Sequence, residues 1–95
     1  RSTIIDVFAD DTQGLLYAIT RSIFQLGLSV HAARISHRQE LDQMVDVFYV
    51  MDWDGAKIED HARLERIRAT IKQDIDLFMG QPIDASEGVS IGTPA

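Results

Sequence analysis

Apolar and polar positions alternate along Thr3–Ala9, with Ile5, Val7 and Ala9 on one face and Ile4, Asp6 and Phe8 on the other. This β-branched, aromatic alternation predicts a first strand. Asp10–Gln13 is a polar break. Leu16, Ile19, Ile23 and Leu26 then recur at helical spacing, which leaves Thr20, Arg21, Ser22 and Gln25 on the wet side. Gly27 ends this helix, because glycine accepts the left-handed conformation that closes many helices.

Leu28–His37 reads as a second strand whose pattern slips phase. Val30 and Ile35 cannot share a face in a regular strand, so a bulge is expected unless both faces are partly buried. Arg38–Gln43 is a polar hairpin connection, and Met44–Met51 is the clearest strand of the chain. Asp54-Gly55 signals a turn. Asp60 is a good N-cap for a second helix, with Leu64, Ile67, Ile71, Ile75 and Phe78 as its buried stripe. Gly80 and Pro82 stop it.

The order is β-α-β-β-α, which predicts a ferredoxin-like α+β sandwich with both helices on one face of an antiparallel sheet. The expected domain is residues 1–79. Residues 80–95 are expected to form an irregular tail or linker, within which only Val89–Ile91 offers a fourth strand. The other sheet face is assigned Ile4, Asp6 and Phe8 from strand one and Met44, Asp46, Phe48 and Val50 from strand three. A bare sheet face is normally more polar than this. Phe8, Phe48 and Val50 are therefore the expected interface residues, covered by a second copy, a neighbouring domain or the tail.

Composition narrows the function. The 95 residues suit one domain, and the lack of Met at position 1 fits a piece of something longer. A domain of this size is only modestly stable alone, so help from a partner is expected. The absence of cysteine excludes disulfides and thiolate chemistry and agrees with a cytoplasmic location. No apolar run approaches about 18 residues, so no membrane span is expected. The net charge of −6 disfavours nucleic acid or an acidic membrane as partner. Phe8, Phe48 and Tyr49 lie where related topologies stack bases, but Asp6 and Asp46 beside them would repel phosphate.

Candidate chemistry is sparse. His31, His37 and His61 have no metal-ligand spacing, and no serine lies in a nucleophile elbow. There is no glycine-rich phosphate loop. Asp52 and Asp54 flank a turn and read as solvated. No catalytic residue, metal or cofactor is expected. What remains is Asp10-Asp11-Thr12-Gln13-Gly14, joining a strand end to a helix start. Helix N-termini present unpaired N–H groups that favour a carboxylate, and Gly14 permits close approach. An acceptor for an anion beside Asp10 or Asp11 suits a free amino acid. A plain corner capped by Asp11 or Thr12 is the other reading of the same residues.

The string Asp11-x-x-Gly14-Leu15-Leu16, the helix end Leu26-Gly27-Leu28 and the strand Val30-His31-Ala32-Ala33-Arg34-Ile35 resemble the ACT domain, a small regulatory module that binds amino acids. Val45-Asp46-Val47-Phe48-Tyr49-Val50-x-Asp52, Asp54-Gly55-x-Lys57-Ile58, Asp60 and Arg63-Leu64-x-x-Ile67 are similar to the ACT domains of protein-PII uridylyltransferase/uridylyl-removing enzymes. Plant ACT-repeat proteins carry similar strings. The resemblance spans about Thr3 to Ile75. It implies a bacterial nitrogen sensor with glutamine as effector and with nucleotidyltransferase catalysis in other domains. It also implies a ligand site built from Asp10, Asp11, Thr12, Gln13, Gly14 and Leu15, walled by Val30, His31, Ala32 and Ala33, often from a paired domain. A homodimer, or a neighbouring ACT or catalytic domain, is the implied macromolecular partner. The family turn commonly reads Asp-Arg-Pro-Gly, whereas Thr12 and Gln13 stand here, without the ring constraint or the positive charge. An ACT-fold module that only mediates dimerisation or interdomain contact is the alternative.

Overall fold

Pairing of Ile5 with Phe48, and of Thr3 with Val50, settles which side of the sheet becomes the core. The computed structural model describes residues 2–9, 13–41, 43–80 and 88–92. Within them run β1 (Thr3–Phe8), α1 (Leu15–Gln25), β2 (Leu28–Arg38), a single 3₁₀ turn (Gln39–Leu41), β3 (Gln43–Asp52), α2 (His61–Met79) and β4 (Gly88–Gly92). The strands form one antiparallel sheet in the order β2-β3-β1-β4. Both helices pack on one face of it, giving the ferredoxin-like α+β architecture.

Residues directly opposite in an antiparallel pair project to the same side. Thr3, Ile5 and Val7 therefore share the helix side with Val50, Phe48 and, by register, Asp46. Phe48 is 2% exposed and Val50 fully buried, so both belong to the core and not to the outer sheet face. The outer face instead carries Ile4, Asp6 and Phe8 opposite Tyr49, Val47 and Val45. Alternation could not choose between the two sets on β3, since both are apolar; the register to β1 chose. Phe8 keeps the expected face.

Ile5, Ile19, Ile23, Leu28, Phe48, Ile67, Ile71 and Ile75 are the large side chains at the centre of the core. Each contributes about 1.5–3 kcal/mol through burial. On α1 the inward stripe is rotated from the expected one: Leu15 is buried and Leu16 is exposed. Ser22, expected on the wet side, is buried against α2, where its hydroxyl donates to Asp74 at 2.7 Å. The expected bulge of β2 falls at His31, between the pairs Val30–Val50 and Ala32–Tyr49. Asp60 caps α2 by accepting from the Ala62 amide at 3.0 Å, and Gly80 closes it in the left-handed conformation. Residues 88–92 of the expected irregular tail form β4, antiparallel to β1, so the folded domain extends past position 79.

The β3–α2 connection is pinned by Asp52. Its carboxylate takes two hydrogen bonds from the Arg63 guanidinium, at 2.6 and 3.0 Å, and one from the Trp53 amide at 3.0 Å. Those bonds, from Arg63 first, hold the Asp52 carboxyl below its ordinary value. The unfolded chain then binds more protons than the folded one in acid. Asp52 thus stabilises the fold above the ordinary aspartate value, and this contribution disappears as pH falls through its lowered one. Acid denaturation followed by circular dichroism should show this component, and Asp52→Asn should remove it.

One polar atom sits badly in the core. The Thr3 hydroxyl is fully buried and has no hydrogen-bond partner among the described residues. Such a group costs desolvation without return. Thr3→Val keeps the shape and removes the hydroxyl, so stability should rise by about 1 kcal/mol, which for a domain of this size is a melting-temperature increase of roughly 4–8 °C.

Candidate functional site

Gly14 is the N-cap of α1, with φ of 85° and ψ of −7°. Its carbonyl accepts from the Ala18 amide at 3.0 Å, the first turn of the helix. Among the described residues, no side chain caps that terminus. The N-cap position itself falls on glycine, which suits it because the backbone is left-handed there. A Cβ at position 14 would lie 3.2 Å from Cζ of Phe78, so the end of α2 closes over one side of the turn. Asp10, Asp11 and Thr12 lie outside the described residues. Gln13 and Gly14 are exposed, whereas Leu15 is 3% exposed and points into the core.

Val30, His31, Ala32 and Ala33 are all exposed, on the edge strand of the sheet. α2 packs on the flank of α1 that carries Ala18, Ser22 and Gln25. β2 lies on the opposite flank, because the chain leaves α1 through Gly27 directly into Leu28. Gly14, against Phe78, and the Val30–Ala33 wall therefore address opposite sides of α1. Among the described residues of the sequence-predicted site, Gly14 and the Val30–Ala33 wall thus do not line one pocket.

That flank of α1 and β2 is apolar. Leu16, Phe24, Val30, Ile35 and Trp53 are exposed, Ile35 at 60% and Trp53 at 67%. Phe24 and Trp53 meet edge to face with centroids 6.1 Å apart. Val30 and Ile35 pair with Val50 and Asp46 on the helix side of the sheet, beyond the cover that α1 provides.

A second feature lies on the outer sheet face, where a depression of about 430 Å³ is floored by Val45 and Val47 and rimmed by Ile4, Asp6, Phe8, Arg34 and Tyr49. Asp6, Val47 and Arg34 form one row across β1, β3 and β2. Burial pushes the Asp6 carboxyl above its ordinary value, and the charge of Arg34 partly offsets this. The Arg34 guanidinium lies 5.9 Å from the centroid of the Tyr49 ring. Arg34 was not among the site or interface residues expected from the sequence; its signal is a charge in phase with Asp6 once the bulge at His31 is counted.

Among the described residues, no group of three or more His, Asp or Glu side chains is placed to hold a metal ion. Of the acidic pair Asp52 and Asp54, the first is committed to Arg63 and the second accepts from the Ala56 amide at 3.0 Å. No helix among the described residues is long and apolar enough to cross a membrane.

Comparison with known proteins agrees with this architecture. The chain is 37% identical over 90 residues to a bifunctional uridylyltransferase/uridylyl-removing enzyme of Rhodospirillum rubrum, which covers 95% of this chain and 9% of that protein. It is 41% identical over 66 residues to the enzyme of the same name from Azospirillum brasilense, covering 70% of this chain and 7% of that protein. The chain thus spans less than a tenth of the length of these relatives. Among solved structures, a formyltetrahydrofolate deformylase from Pseudomonas putida superposes with a TM-score of 0.66 at 14% identity, over 99% of this chain and 29% of that one. The C-terminal domain of the MgtC protein from Mycobacterium tuberculosis superposes with a TM-score of 0.59 at 14% identity, over 96% of this chain and 86% of that one. These two likenesses concern the fold. The sequence profile of the ACR9-like, ACT-like domain matches residues 1–83, and the chain belongs to the ACT-like domain family.

Proposed function

We propose that this domain is an amino-acid-sensing regulatory module of a protein of the uridylyltransferase/uridylyl-removing type, acting in cytoplasmic nitrogen regulation with glutamine as its effector. The observation that carries this reading is the start of α1, where the N-cap is Gly14, which has no side chain of its own to offer the first helical amides. A ligand carboxylate is stabilised there by those amides and by the helix dipole. Asp10 or Asp11 takes the ammonium group. Because Val30–Ala33 faces away from the Gly14 side of its own α1, the second wall comes from β2 of a neighbouring ACT-like domain. A ligand held between two domains favours one packing of the pair over another, and it shifts that equilibrium by its difference in affinity for the two.

The exposed strip Leu16, Phe24, Val30, Ile35 and Trp53 favours a second reading, an interdomain contact module that binds no small molecule. Apolar patches of this kind mark protein contacts.

Isothermal titration and thermal shift with glutamine, and with glutamate and other amino acids as comparators, separate the two. Under the sensing reading, glutamine gives saturable heat and raises the melting temperature, by about 2.7 kcal/mol of stability at a hundredfold excess over Kd. Asp11→Ala abolishes both responses. The absence of heat and of any shift at millimolar ligand rejects sensing and leaves the contact module.

A further inference from the structure

The outer sheet face has a charge pattern that fits itself. Its rows read Ile4–Tyr49–Ala32, Asp6–Val47–Arg34 and Phe8–Val45–Ser36 across β1, β3 and β2. The middle row carries a carboxylate and a guanidinium on either side of a valine, each about one strand spacing of 4.8 Å from it. Neither Asp6 nor Arg34 has a hydrogen-bonded ion-pair partner among the described residues; Arg34 lies over the Tyr49 ring. The two flanking rows are otherwise apolar, aromatic or small, and His37 and Glu40 line the same depression outside these rows.

We infer that a second copy of this chain docks face to face on this surface, about a two-fold axis that runs along β3 through Val47, so that Arg34 of each copy meets the partner's Asp6. Such an axis leaves Val45, Val47 and Tyr49 near their own symmetry mates and exchanges the positions one strand to either side. It therefore forms two equivalent charge pairs flanking an apolar centre, an isologous interface. An axis across the strands would set Arg34 on Arg34 and Asp6 on Asp6, which like-charge repulsion disfavours. Sheets that pack this way lie about 10 Å apart with strands within about 30° of each other, so the central row stays in register while the outer ones diverge. The partner's guanidinium also adds a second counter-charge to the half-buried Asp6, whose own Arg34 acts on it from across Val47.

The footprint sets the strength. An axis along β3 sets β2 on the partner's β1 and leaves β4 outside the overlap, so three strands by six residues cover about 14 by 20 Å, or roughly 300 Å² per copy, against about 800 Å² per partner in a standard stable complex. The dimer is therefore weak and concentration-dependent. It uses the sheet face opposite the helices and needs no ligand, so it stands or falls separately from amino-acid sensing.

Sedimentation velocity across a wide concentration range is the test. The unsubstituted chain is expected to pass from monomer to dimer. Asp6→Arg and Arg34→Asp are each expected to weaken the dimer at least about tenfold. Mixed in equal amounts, these two variants should form a heterodimer, because each then meets its opposite charge; native mass spectrometry distinguishes it by mass. Asp6→Asn, a gentler change, should weaken pairing without threatening the fold. Ile35→Glu, on the helix side of β2, should leave pairing unchanged. A chain that stays monomeric throughout overturns the inference, as does a mixture that fails to pair. Loss of the dimer in Ile35→Glu overturns it as well, by assigning the contact to the edge of β2.

Discussion

The antiparallel register between β1 and β3 is the constraint on which the rest of the molecule depends. By setting Ile5 opposite Phe48 and Thr3 opposite Val50, it puts the largest β3 side chains under the helices. A shift of one residue would exchange the two faces of β3 entirely. The same register puts Val45, Val47 and Tyr49 beside Ile4, Asp6 and Phe8, creating an outer face that is apolar around one charged row. Core and outer surface are thus two results of a single pairing.

The helical layer is narrower than the sheet. Two helices bury the helix side of β1, much of β3 and Leu28 of β2, but leave Val30 and Ile35 exposed at the edge. An unpaired edge strand is a template for further contacts. The bulge at His31 interrupts that edge. Within one chain, α1 separates the Gly14 turn from the β2 wall. Together these features leave an apolar strip exposed along α1 and β2 and set the Gly14 turn apart from the β2 wall.

Much of this was legible in the sequence because it rests on local chemistry. The slip between Val30 and Ile35 announced the bulge, since alternation in a strand cannot change phase without an extra residue. Asp60 and Gly80 marked the ends of α2 because their preferences belong to single backbone positions. Gly14 was singled out for its freedom, and it holds a left-handed conformation. The N-cap of α1 was harder to foresee: Asp11 and Thr12 are good capping residues, yet the N-cap position falls on Gly14. Ser22 was misread for a related reason. Its polarity suggests water, but Asp74 of α2 satisfies its hydroxyl inside the fold.

The sequence by itself determined the order β-α-β-β-α, the end of α1, both ends of α2, the bulge and membership of the ACT-like family, all of which depend on residues close together in the chain or on strings specific to the family. Only the tertiary structure decided that Phe48 and Val50 lie inside, that Leu15 rather than Leu16 is buried, that Gly88–Gly92 completes the sheet, and that Asp6 and Arg34 share a row. The physical reason is common to these cases. MVDVFYVM is apolar on both faces, and a five-residue strand has too little pattern to declare itself. Which side of an element is buried is then settled by what pairs with it from elsewhere in the chain.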